Sequence, residues 1–195
     1  HGVFDMAAFG AVPGLTIAAP MNEPELRNMM YTALGSGHPF MIRYPRGHGE
    51  GLPWRGEKFE TLPVGRGRRL REGADVALLT VGTVGNAAAR AAGRAAAEGV
   101  SVAHYDLRFV KPLDEALLDE VGRKFRRVVT VEDGSLRGGV GEAVAAFFNG
   151  RGYDVRVQRL GIGDEWVEHG TPGQLYALCG YDEEGILRAL LDTRA

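Results

Sequence analysis

Residues 40–47, FMIRYPRG, decide how the chain is read. The apolar run at their start is expected to be a buried strand over 40–44, and the residues that follow deliver an arginine into a turn. Pro45 fixes its own φ and pushes Tyr44 into an extended conformation, while Gly47 lets the chain reverse at once. Arg46 is therefore presented beyond the strand end rather than packed. In parallel α/β sheets ligands bind beyond the carboxyl ends of the strands, and a guanidinium held there offers a planar fork for a phosphate or carboxylate. Arg43 alternates away from Ile42 and Tyr44 along the strand and is expected to be an internal ion-pair partner.

Upstream, LTIAA at 15–19 reads as a short strand ended by Pro20. Asn22 is an N-cap candidate, with Pro24 in the first turn and Glu25 completing a capping-box pattern, so a helix is expected over 23–34. Leu26, Met29, Met30 and Ala33 recur at helical spacing, and Gly35 stands where a C-terminal cap belongs. This β-α-β order implies a parallel pair joined by a crossover helix. We take 1–50 as the end of a first domain. Downstream, the glycines and prolines between Gly47 and Arg71 break any periodicity, and 51–71 is expected to be a linker, either an ordinary surface connection or an active-site flap.

A second α/β domain is expected over 72–195. VALLTV at 76–81 reads as a fully buried strand, followed by an alanine-rich helix to about 98 whose small inner face packs close to the sheet. Further strands are expected over 100–105, 128–132 and 155–160, with helices over 114–124, 139–149, 172–178 and 182–191. Both domains are thus expected to be α/β with mainly parallel sheets.

The bulk composition narrows the function. With 45% hydrophobic residues over 195 positions the chain can build a real core, and a net charge of -2 gives no field that favours nucleic acid or an anionic membrane. Cys179 is the sole cysteine, which excludes an intrachain disulfide and a cysteine-based metal site and fits a reducing compartment. The longest uncharged stretch is broken by Pro13 and Gly14 and is too mixed to span a bilayer. A soluble, cytoplasmic protein is expected. The opening HGVFDMAAFG lacks a signal-peptide pattern and a helix cap, and the chain reads as a fragment.

Other candidate sites are weaker. GSLRGGVG at 134–141 precedes a helix, but its spacing matches neither a P-loop nor a dinucleotide fingerprint, and close helix-to-strand packing is the expected use of its glycines. Glu132 and Asp133 could act as acid and base but are expected to cap the adjoining loop or helix. In GIGDEWVEHG at 161–170, Glu168 and His169 diverge in any regular structure, so no metal site is expected; Trp166 is expected to anchor the segment by its apolar area. His1 could be a catalytic imidazole or a frayed end. His38, His48 and His104 show no convergent partners in the sequence.

HGVFDMA, APMNEPELRNMMYTAL, IRYPRG, LRFVKPLDEALL, VTVEDG with GGVGEAV, and GIGDEWVEHG occur here in the order found in the 1-deoxy-D-xylulose-5-phosphate synthases, which the chain resembles over essentially its whole length. These are transketolase-like thiamine diphosphate enzymes. The resemblance implies the end of a pyrimidine-binding domain followed by a transketolase C-terminal domain. It implies condensation of pyruvate with glyceraldehyde 3-phosphate, with loss of carbon dioxide, for non-mevalonate isoprenoid and thiamine or pyridoxal precursor biosynthesis. It also implies thiamine diphosphate and Mg²⁺ as cofactors, a homodimer, and an N-terminal portion of the same enzyme as partner. Arg46 matches the family arginine expected to hold the acceptor's phosphate. His1 is similar only to the variable position beside the motif histidine, so no catalytic, cofactor-binding or metal-ligating residue is carried onto this chain, which by itself is expected to be inactive. Gly163 stands where the family usually has proline, and Gly10 and Ala11 also depart from its pattern. A β-type subunit of a 2-oxo-acid dehydrogenase and a non-catalytic dimerisation or regulatory module are the competing readings.

Overall fold

A computed structural model describes residues 2–56 and 58–192. VALLTV forms β4 (Val76–Val81), buried at every position because helices cover both faces of its sheet. Val76 and Leu78 point to one layer, where Ala88, Ala91, Ala92 and Ala95 of α3 (Val84–Ala97) and Ile186, Leu187 and Leu190 of α7 (Glu183–Leu191) close over them. Ala77, Leu79 and Val81 point to the other, against Leu118 and Val121 of α4 (Glu115–Lys124) and Val140, Val144 and Phe148 of α5 (Val140–Gly150). The alternation along one strand therefore builds a three-layer sandwich.

The five strands run in the order β3 (Arg68–Arg71), β5 (Val102–Asp106), β4, β7 (Arg127–Ser135), β8 (Arg156–Ile162). β5, β4, β7 and β8 are parallel, and β3 is an antiparallel edge. β3 lies inside the stretch expected to be a linker. Its alternation is masked because an edge strand of sequence RRLR carries charges that face solvent and a neighbouring ion-pair cluster. Gly73 follows it where a Cβ would stand 2.1 Å from the Ala103 nitrogen, so only glycine lets the chain cross β5 there.

The first sheet corrects an expectation. β1 (Thr16–Ala18) and β2 (Phe40–Ile42) are parallel, joined by α2 (Glu23–Gly35), whose N-cap Asn22 accepts a hydrogen bond from the Glu25 amide at 3.1 Å. The third strand is β6 (Phe109–Lys111), which comes from the second half of the chain and pairs antiparallel with β1. The first sheet is therefore mixed rather than mainly parallel. Arg108 turns the chain out of β5 with φ +58, an unusual conformation for a residue with a Cβ, and its amide donates to Asp106 at 3.1 Å. Ile17, Ala18, Met29, Leu62 and Phe109 are buried around this sheet.

The junction between the halves is charged and buried. Glu25 accepts from Arg108 Nε and Nη2, both at 2.8 Å, and from Arg68 Nη1 at 2.9 Å; Arg68 also meets Asp106 at 3.1 Å. A short α1 (Asp5–Gly10) precedes β1, unmarked in the sequence because no side chain caps it, and its Met6 is buried in the second half's core. α6 (Pro172–Leu178) carries the capping box formed by Thr171 and Gln174.

The described residues among 51–62 lack regular structure but are strapped to α2. Glu23 accepts from Gly51 N, Arg27 donates to the carbonyls of Trp54 and Lys58, Asn28 accepts from Glu60 N, and Thr32 accepts from Leu62 N. Tyr31 stacks on Phe59 with ring centres 5.1 Å apart. One helical face thus holds the segment through its backbone. Among the described residues no helix is long and apolar enough to cross a membrane.

Candidate functional site

β2 pairing extends one residue past Ile42, because the Arg43 amide donates to Ala18 O at 2.8 Å. The Arg43 side chain then turns inward, 9% exposed, with Nη1 3.0 Å from Asp133 Oδ2 and Nε 3.5 Å from Asp5 Oδ2. It is an internal ion-pair partner, in keeping with its place on the strand. Downstream, Glu23 at the start of α2 accepts the Gly51 amide at 2.7 Å, and a Cβ on Gly49 would stand 2.2 Å from Glu23 Oε1. The turn over 44–48 is therefore bracketed by a fixed residue on each side, with Gly47 at φ +154 in the middle.

Arg46 stands exposed on the rim of a cleft of about 510 Å³ between the two halves. Met21, Leu26 and Tyr44 line it from the first half, and Val84, Tyr176 and Tyr181 from the second. Asn86 ties the walls together by donating to Met21 O at 2.8 Å. Arg90, also on the cleft, is neutralised by Glu183 at 2.7 Å. Among the described residues Arg46 has no carboxylate partner, which leaves its guanidinium available to an anionic ligand on a largely apolar wall.

Asp133 lies under this cleft at the end of β7. It accepts from Arg43, from Tyr181 OH at 2.9 Å and from Tyr176 OH at 3.3 Å. Burial, with the Asp133 charge adding to it, pushes the Tyr176 phenol up to about 12 and raises that of Tyr181 further, so both remain donors at neutral pH. The sequence reading had no place for these tyrosines. The signal was faint: two aromatic residues flank Gly180, whose φ of +75 marks the turn between α6 and α7.

Glu132 is a cap. Its carboxylate accepts from the amides of Val140 and Gly141, each at 2.8 Å, at the start of α5. Burial raises its pKa, opposed by those two amides. A Cβ on Gly139 would come 2.5 Å from Glu132 Oε2, and one on Gly141 2.5 Å from Thr130 Oγ1, so GSLRGGVG serves close packing around an internal carboxylate. The helix N-terminus that could have cradled a diphosphate is already filled.

The segment GIGDEWVEHG is a correction. Trp166 is 88% exposed and touches Phe4 edge-on with ring centres 5.8 Å apart, so it does not anchor the segment by burial. After Ile162 the chain leaves β8 for the surface, and Val167 rather than Trp166 packs against the core. Asp164 pairs with Arg137 at 3.2 Å. Among the described residues no cluster of His, Cys, Asp and Glu could hold a metal ion. His104 does have a partner, Thr80 Oγ1 at 2.9 Å, and His38 meets Thr16 at 3.0 Å; both contacts join residues distant in sequence. His1 lies outside the described residues. The one helix N-terminus that the sequence offered for a diphosphate, that of α5, is thus taken by Glu132.

Comparison with known proteins places this geometry. The chain is 54% identical over its whole length to a 1-deoxy-D-xylulose-5-phosphate synthase of Bacteroides fragilis and 44% identical over 95% of its length to that of Symbiobacterium thermophilum. It spans about 30% of the length of these relatives. Among solved structures, a split-gene transketolase described as an inactive β4 tetramer superposes with a TM-score of 0.81 at 27% identity, over 96% of this chain and 60% of that one. The family model of the transketolase C-terminal domain matches residues 65–186, which span β3, the parallel strands and the helices of the second sheet, and the chain belongs to that family.

Proposed function

We propose that the chain acts as the C-terminal portion of a 1-deoxy-D-xylulose-5-phosphate synthase, a transketolase-type transferase, and that Arg46 holds the phosphate of the glyceraldehyde 3-phosphate acceptor. The observation that carries this reading is a guanidinium with no carboxylate partner among the described residues, on the rim of a cleft between the two halves, in a chain 54% identical throughout to a synthase. The name shared by the relatives favours the synthase over a dehydrogenase β-type subunit. In this reading residues 1–50 end a pyrimidine-binding domain, the connection is shorter than the expected 51–71 because β3 already belongs to the second sheet, and the chain from about residue 65 forms the transketolase C-terminal domain of a cytoplasmic homodimer.

Thiamine diphosphate, bound with Mg²⁺ by upstream sequence, would supply the carbanion chemistry on pyruvate. This chain's own contribution is positional. Arg43, Asp133 and Glu23 fix the ends of the turn, and Arg46 offers two parallel donors to a phosphate at the rim of a largely apolar cleft. The test joins the chain to the upstream sequence of a synthase and assays pyruvate with glyceraldehyde 3-phosphate. Decarboxylative condensation is expected, with Arg46→Ala raising KM for the phosphorylated acceptor about 10-fold or more, the effect of losing a charged hydrogen-bond pair. Unchanged acceptor KM in that variant removes Arg46 from the site, and acylation of lipoamide would select the dehydrogenase reading instead.

A further inference from the structure

The residue that holds Arg43 belongs to the other sheet. Arg43 is the last residue of the first sheet with a backbone partner before the turn, and its guanidinium is held 3.0 Å from Asp133 at the end of β7. Asp133 is itself fixed from two further directions, by Tyr181 at 2.9 Å and Tyr176 at 3.3 Å, whose rings lie 5.0 Å apart and line the same cleft as Arg46. A buried carboxylate with three donors from β2, α6 and the turn before α7 is a rigid post. Glu23, the downstream post, comes from the first half. We propose that Asp133 is a positioning residue for acceptor selection, which acts through Arg43 to set where the Arg46 guanidinium stands, and that Tyr181 holds Asp133 in place. This rests on the reading of Arg46 as the acceptor-phosphate residue.

Two measurements on Asp133→Asn test it. In the chain itself, amide hydrogen exchange over residues 44–48 is expected to accelerate about 10-fold or more while that of β4 stays unchanged. In the full-length synthase, KM for glyceraldehyde 3-phosphate is expected to rise about 10-fold, with kcat within about 2-fold and KM for unphosphorylated glyceraldehyde unchanged. The double variant with Arg46→Ala should be no worse than Arg46→Ala alone, because both changes remove one interaction. Unchanged exchange in the turn, equal losses on both acceptors, or additive effects in the double variant would overturn the proposal. Accelerated exchange together with an Arg46→Ala variant of normal acceptor preference would instead sink the phosphate reading and leave the mechanical link standing. Should Asp133→Asn fail to fold, Tyr181→Phe, which removes one donor and keeps the ring, is read the same way.

Discussion

His104 and Asp106 sit two residues apart on the same face of β5, each about 1% exposed, and burial moves their pKa values in opposite senses. Burial, helped by the nearby Arg68 and Arg71 charges, lowers His104 from 6.5 to about 4. Burial raises Asp106 from 3.8 to about 6, and Glu25 adds to the rise while Arg68, the Arg108 amide and the Arg108 charge oppose it. For His104 the unfolded chain binds the extra proton between about pH 4 and 6.5, so its contribution is complete above 6.5 and is lost as pH falls to 4. For Asp106 the folded chain binds the extra proton between 3.8 and about 6, so its contribution is complete below 3.8 and is lost as pH rises to 6. At about 1.36 kcal/mol per pKa unit, each amounts to about 3 kcal/mol, and the two nearly cancel. The native chain should therefore show little net slope from this pair between pH 4 and 6.5.

Asp106→Asn unmasks the histidine. Urea unfolding of that variant is expected to gain about 2 kcal/mol more than the native chain on going from pH 4.5 to 6.5, the part of the Asp106 contribution that falls in this interval. His104→Gln should do the reverse and lose about 2 kcal/mol over the same interval relative to the native chain. The comparison is of slopes, so the fixed cost of breaking the Arg68 contact or the Thr80 hydrogen bond does not enter. Parallel pH profiles in all three proteins would refute the argument that burial, rather than the surrounding arginines and carboxylates, sets these two groups.

Arg27→Ala removes two donors to the backbone of the 51–62 strap and the guanidinium 4.9 Å above Phe59; amide exchange there should rise sharply while global stability falls by no more than about 1 kcal/mol. Glu132→Ala leaves the Val140 and Gly141 amides without their acceptor in a buried site, and a loss of about 2–4 kcal/mol is expected in chemical denaturation. Gly73→Ala places a Cβ 2.1 Å from backbone that cannot yield, so a drop of more than about 2 kcal/mol, or failure to fold, should appear in thermal melts.

The elements legible in the sequence are those whose local signals agree with their burial. β4 is an unbroken apolar run, α2 and α4 begin at Asn22 and Asp114, whose side chains accept the amides three residues on, and α3 advertises its close packing through alanine. β3 and β6 were not legible, because their reasons for existing lie elsewhere. RRLR is a strand since Arg68 must meet Asp106 and Glu25, and Phe109–Lys111 is a strand since β1 offers it an open edge. The exposed place of Arg46 after the strand was legible because proline and glycine shape the backbone from within the motif. Its supports Asp133, Tyr176 and Tyr181 were not, because only the fold brings residues more than 85 positions away under the turn. Trp166 misled for the opposite reason: a large apolar side chain signals burial only where another layer covers it.

That asymmetry bears on what the second half does. Its sheet has the form of a ligand-binding module, with parallel strands ending at a glycine-rich helix N-terminus, yet Glu132 fills the anion position there with the protein's own carboxylate. A module whose generic site is closed from within can still act on a neighbour's site if it is rigidly coupled to it. The coupling here is polar and directional: Glu25 with two arginines on one side of the junction, Asp133 with Arg43 and two tyrosines on the other. Apolar packing alone would tolerate small slides of one half against the other, whereas buried charges that must each find a partner allow one arrangement, at the cost of their desolvation. The buried network therefore fixes the registry of the two halves, and with it the height of Arg46 above the cleft.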